Sequence, residues 1–106
     1  MRAGKLRHRI EIQKKDRVSD GGGGYYYDWV IVATVWASVE PLSAREFLQA
    51  QAVQSEVTAR ITIRYRDDIT PDMRILHRGQ TYYIQGVLAD NRSGLEYLTL
   101  PCSTKE

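Results

Sequence analysis

The alternation that runs from Val57 to Arg66 constrains this chain more than any other stretch. Val57, Ala59, Ile61, Ile63 and Tyr65 alternate with Thr58, Arg60, Thr62, Arg64 and Arg66. A period of two belongs to a strand with unlike faces, because successive side chains point to opposite sides of a sheet. Fully extended, the row spans roughly 30 Å. Its apolar side must be buried against other strands, which commits the chain to a sheet. Its other side carries Arg60, Arg64 and Arg66. Such a face is either solvated and protective of an edge, or a basic stripe toward phosphate or a neighbouring subunit.

The segment before it reads as a capped helix. Ser43 is placed to accept from backbone N–H groups, and Glu46, three residues on, is placed to reach back to the cap, the capping-box arrangement. Leu42 and Phe47 sit where a hydrophobic staple would clamp the chain at the helix start. From Ala44 to about Gln54 there is no Gly or Pro, and the residues favour helix. Phe47, Leu48, Ala50, Ala52 and Val53 form no wide apolar stripe, so a helix of roughly 17 Å would be weakly anchored. Short helices are marginal alone in water, and this one is expected to move or dock.

Leu6 to about Lys14 predicts a first strand, with Leu6, His8, Ile10 and Ile12 opposite Arg7, Arg9, Glu11 and Gln13. From Lys15 to Asp28 that pattern stops. Gly21, Gly22, Gly23 and Gly24 lose too much backbone entropy for regular structure, so the stretch reads as a mobile loop. Tyr25, Tyr26 and Tyr27 after it are either the start of a strand or a contact surface. Asp28 to Glu40 is apolar on both faces, with Trp29, Ile31, Ala33, Val35, Ala37 and Val39 on one and Val30, Val32 and Trp36 on the other. Such a strand is expected to be central or covered, with its tryptophans in the core.

Downstream, Asp67 to Met73 predicts a turn, and Arg74 to Leu88 a hairpin around Arg78-Gly79-Gln80 with Gly86 a bulge. Tyr82, Ile84 and Val87 or Leu88 are expected in its core. Asp90 to Gly94 reads as another turn, Leu95 to Cys102 as a closing strand, and Ser103 to Glu106 as a frayed end. The expected architecture is mainly β: a single domain over 1–106 with six mostly antiparallel strands in a small barrel or sandwich. One short helix lies in the connection between the second and third strands.

Few chemistries fit. The glycine run lacks the spacing and the following Lys-Ser or Lys-Thr pair of a phosphate-binding loop. Asp67 and Asp68 read as solvated turn acids, and His77 as a hairpin residue without nucleophile or acid partners. The single Cys102 makes no internal disulfide, which fits a reducing cytoplasm. No catalytic residue, metal, cofactor or small-molecule substrate is expected. No apolar run reaches membrane-spanning length, and no signal peptide is expected. The formal charge of +2 is too small to indicate nucleic acid, although Arg2 to Arg17 holds seven Lys or Arg against Glu11 and Asp16.

The order of motifs resembles the head-tail joining proteins of tailed bacteriophages, also described as head-completion, head-closure or stopper proteins. The likeness rests on Gly4-Lys5-Leu6-Arg7-His8-Arg9-Ile10, then Val35-Trp36-Ala37-Ser38-Val39-Glu40-Pro41-Leu42-Ser43 with Arg45-Glu46. It continues through Ile61-Thr62-Ile63-Arg64-Tyr65-Arg66, Ile69-Thr70-Pro71, Met73-Arg74-Ile75 and Tyr82-Tyr83-Ile84-Gln85-Gly86-Val87. The resemblance implies a structural protein of the virion, made in the bacterial host cytoplasm. It would form a dodecameric or hexameric ring below the portal and adaptor, help to seal packaged DNA and dock the tail. It also implies a small β-barrel whose Pro41 to Glu56 connection, with Ser43, Arg45, Glu46, Phe47 and Gln51, can project into the channel. Arg60, Arg64 and Arg66 are then candidates to face a subunit or DNA, and Gly21 to Tyr27 a candidate docking loop. The alternatives are another phage neck or tail-completion protein, or a free-standing nucleic-acid-binding module.

Overall fold

Ile10 and Ile12 alternate with Arg9 and Glu11, and this amphipathic row becomes the inner half of β1, His8–Ser19. The computed structural model describes residues 5–106. Arg2 and Gly4, part of the basic segment and of the family-like start, lie outside the described residues. The remaining elements are β2 (Tyr25–Pro41), α1 (Ala44–Ala52), β3 (Ala59–Arg64), β4 (Arg74–His77), β5 (Gln80–Ile84), β6 (Leu88–Ala89) and β7 (Tyr97–Ser103).

The seven strands make one sheet in the order β3-β2-β1-β4-β5-β7-β6, with a further pairing of β3 to β7 that closes it on itself. Every pairing is antiparallel. Six strands complete the ring, as the sequence predicts. The seventh is the short β6, paired to β7 at Leu88↔Thr99 and Ala89↔Leu98. It exists because Gln85 to Val87 interrupt the predicted hairpin strand, so Gly86 sits between two strands rather than in a bulge. Val87 packs on the core, whereas Leu88 is exposed.

The core lies inside the ring. Ile10, Ile12, Ile61, Ile63, Ile75 and Leu100 are essentially inaccessible, and each such side chain contributes about 1.5–3 kcal/mol through removal from water. Cys102 joins them. Ser103, predicted to fray, is buried because it pairs with Tyr83 across β5 and β7.

The structure corrects the expectation for β2. Ile31 is 62% exposed and Trp36 52% exposed, and neither tryptophan is a core residue. Trp36 lies opposite Arg9 on the outer side of the sheet, which no element of the described residues covers, and for Ile31 the cause is a β-bulge. Ile12 pairs with Ala33 but Gln13 pairs with Ile31, leaving Val32 as an extra residue on β2. One extra residue changes which β2 side chains share a face with which β1 side chains, so a simple alternation carried through the strand misplaces one half of it.

Past the bulge the hairpin leaves the body. β4 pairs with β1 only at Glu11, Ile12 and Gln13, and β3 pairs with β2 only from Ala37 to Pro41. Lys14 to Ser19 and Tyr25 to Val30 therefore form a two-stranded ribbon about 20 Å long with open edges. The radius of gyration, 15.2 Å, exceeds the roughly 13 Å of a compact chain of this length, and the longest extent is 52 Å. So the loop expected over 15–28 is mostly strand. Its turn is also organised: the Asp20 carboxylate accepts from Gly22 N and Gly24 N at 2.8 and 3.0 Å, and Asp20 N donates to Gly24 O. Gly21 and Gly23 supply the positive φ of 82° and 88° that this turn needs.

Candidate functional site

Two outward features stand out. The first is the connection carrying α1. Ser43 is its N-cap and the capping box is complete: Ser43 Oγ accepts from Glu46 N, and Ser43 N donates to Glu46 Oε1, each at 3.2 Å. The helix ends at Ala52, two residues short of the predicted Gln54, which takes a positive φ of 58°. No residue of α1 is buried, so weak anchoring is observed. Arg45 and Gln51 are exposed, and Phe47 is 42% exposed beside a cleft of about 240 Å³ that Gln51, Val57, Thr58 and Lys105 also line.

Arg60 ties this helix to the sheet through Glu46. The Glu46 carboxyl is held below its usual 4.5, chiefly by the Ser43 backbone N–H and then the Ser43 side chain, with Arg60 adding attraction. Arg66 lies beyond the end of β3 and pairs with Asp68 at 2.8 Å, which lowers the Asp68 carboxyl. The basic stripe expected on one strand is thus divided: Arg60 and Arg66 have partners within the chain, and Arg64 is exposed near the end of the strand.

The second feature is the outer face of the β1–β2 hairpin. Residues directly opposite in an antiparallel pair share a face. The pairs Arg9↔Trp36, Lys15↔Trp29, Arg17↔Tyr27 and Ser19↔Tyr25 therefore line one side from body to tip. Three arginines lie over its rings: Arg9 over Trp36 at 5.0 Å, Arg74 over Trp29 at 4.3 Å and Arg17 over Tyr25 at 4.0 Å. Arg74 is oriented by its Nε, which donates to Gln13 Oε1 at 2.8 Å. Tyr25 and Tyr27 meet edge to face at 5.9 Å, so two of the three predicted docking tyrosines act together. Tyr26 pairs with Val18 on the opposite side. Arg64 joins this face at the body end, where it lines a shallow depression with Arg9, Trp36 and Tyr65.

Sequence reasoning missed Arg9, Lys15, Arg17, Arg74 and the two tryptophans as one surface. The cations are distributed over two strands, and only the hairpin register aligns them. The two histidines, distant in sequence, also meet: His8 and His77 contact edge to face at 5.0 Å. Burial, then the nearby His8 and Arg78, lowers the His77 imidazole below its usual 6.5. Among the described residues, no group of three or more His, Cys, Asp or Glu is arranged to hold a metal ion.

A closed antiparallel ring with a helical connection and a long hairpin as its outward features makes a small β-module with two surfaces open to contact. The chain belongs to the phage head completion protein family, which matches residues 1–106. Head completion protein gp16 of Bacillus phage SPP1 is 36% identical over 90 residues, covering 85% of this chain and 82% of gp16. The solution structure of protein SF1141 from Shigella flexneri 2a superposes with a TM-score of 0.73 at 33% identity, over 97% of this chain and 96% of that one. A chain of the native gene transfer agent virion shares the fold with a TM-score of 0.57 at 22% identity, over 92% of each chain. The family is one of structural virion proteins, not enzymes.

Proposed function

We propose that this protein completes the phage head as a ring of copies below the portal and adaptor, where it helps to retain packaged DNA and receives the tail. The observation that carries this reading beyond family membership is the state of the Pro41 to Glu56 connection. Its helix is fully capped yet buries no residue, and Arg60 to Glu46 is its ion pair to the sheet. A segment held this lightly changes position at low cost, which suits a part that closes or opens a central passage. The open ribbon edges and the exposed aromatic face provide the contact area that assembly requires.

The test is a pull-down with mass spectrometry from host cells producing particles. Wild type is compared with a variant lacking Gly21 to Gly24 and with Arg60→Glu/Arg64→Glu. Recovery of portal, adaptor or tail proteins, weakened by either change, supports the connector role. Recovery of nucleic acid alone, lost on adding salt, supports a nucleic-acid module instead.

A further inference from the structure

The ribbon separates its charges by face. On the outer side, Lys15 and Arg17 lie among Trp29, Tyr27 and Tyr25, and the ribbon contributes no carboxylate there. On the other side, Asp16 and Asp28 oppose each other, and Lys14 pairs with Asp16 at 3.4 Å. Lys15 has no carboxylate within ion-pairing distance among the described residues. The same chain carries the complementary surface. In the turn before β4, Asp67 and Asp72 are exposed and, among the described residues, in no ion pair with Lys or Arg, although Asp67 feels the attraction of Arg66; buried Ile69 and Met73 fix the turn to the core.

These two surfaces cannot satisfy each other within one copy along most of the ribbon. Arg17 lies four residues beyond Gln13, where β4 stops pairing with β1, or about 13 Å further out. The aromatic faces argue against nucleobases as the occupant, because Arg17 and Arg74 already cover Tyr25 and Trp29. The acidic turn two residues from Arg74 would also repel a phosphate backbone.

We infer that the occupant is a second copy of this chain: the Lys15, Arg17, Tyr25 and Tyr27 face of one ribbon docks on the Asp67 to Asp72 turn of its neighbour. The two patches differ, so the contact is head-to-tail and propagates into a ring when the rotation closes. Guanidinium and ammonium groups meet carboxylates at the rim, and the tyrosines supply apolar area at low entropic cost. This assignment rests on the ring proposed above and specifies its interface.

The experiment uses full-length variants supplied to host cells assembling particles, with copies per head measured by quantitative mass spectrometry over all heads, filled and empty. Lys15→Glu/Arg17→Glu and Asp67→Lys/Asp72→Lys are each expected to lower occupancy about tenfold, since like charges then face each other. Combining the four substitutions restores it. In a second arm, Ser19→Cys and Thr70→Cys together yield a ladder of disulfide-linked oligomers of this chain under oxidation. Full occupancy by both charge variants overturns the inference, as does the absence of a ladder in heads that contain the protein and retain DNA. Cross-linking of the Ser19→Cys variant to a portal, adaptor or tail protein overturns it as well, while leaving the head-completion role intact. Loss of DNA retention with no protein in the heads, by contrast, bears on head completion.

Discussion

Arg60 of β3 donates to both carboxylate oxygens of Glu46 in α1, with Nη1 2.5 Å from Oε2 and Nη2 3.3 Å from Oε1. The same carboxylate accepts from Ser43 N, so one side chain both closes the helix start and ties it to the sheet. A helix with no buried residue depends on such polar links for its position.

Glu46→Gln is therefore expected to loosen α1 without unfolding the ring. The readout is hydrogen exchange of the amides from Ala44 to Ala52, faster in the variant, with those of β3 unchanged. Acid has the same effect on wild type. Because the folded Glu46 carboxyl ionises below its ordinary 4.5, its contribution is present above that pH and drains as the pH falls through the lower folded value. Unchanged helix protection in Glu46→Gln would rule out this link.

Isoleucines on the two sides of the sheet should respond very differently to truncation. Ile61→Ala, at a fully buried position, is expected to cost about 2–5 kcal/mol in urea denaturation. Ile31→Ala, at the bulge and 62% exposed, is expected to stay within about 0.5 kcal/mol. Equal losses would mean that Ile31 is covered in the free protein.

His77 should make the fold sensitive to mild acid. Its imidazole is held below 6.5, so the neutral form is favoured in the folded state. The associated stability is present above that pH and is lost as the pH falls, when the unfolded chain takes up the proton first. Urea midpoints at pH 7.5 and 5.5 should differ less in His77→Phe than in wild type. An identical difference in both would remove His77 as the cause.

Cys102 is inaccessible and its thiol is pushed up to about 12 by burial. Ellman's reagent is expected to leave the native protein unmodified and to titrate one thiol after denaturation. Rapid reaction under native conditions would show that β7 opens.

Much of the fold was legible in the sequence because its signals are local. The capping box of Ser43 and Glu46 and the alternation of Ile61 and Ile63 each depend on a few neighbouring residues, and both are realised. The extent of β3 was overestimated because Tyr65 and Arg66 continue the pattern beyond the last ladder pair, Arg64↔Tyr97. The hairpin was the main loss. Four glycines and a run of charges look like a mobile loop, but cross-strand pairing of Lys15 to Trp29 and Arg17 to Tyr27 makes the flanking residues strand and leaves the glycines as its tight turn. The single extra residue Val32 then decided which side chains share a face, and no local signal marks it. The outer aromatic and basic face arises from that register, so reasoning strand by strand found its parts without joining them.

The most direct test of head completion is the fate of packaged DNA in particles assembled without this protein. Heads are isolated from host cells lacking it and from cells resupplied with it, and nuclease-protected DNA and attached tails are counted. Heads lacking it are expected to lose their DNA and remain tailless, and resupply restores both. Tailed, DNA-filled particles formed at normal yield without the protein would contradict the role assigned to it.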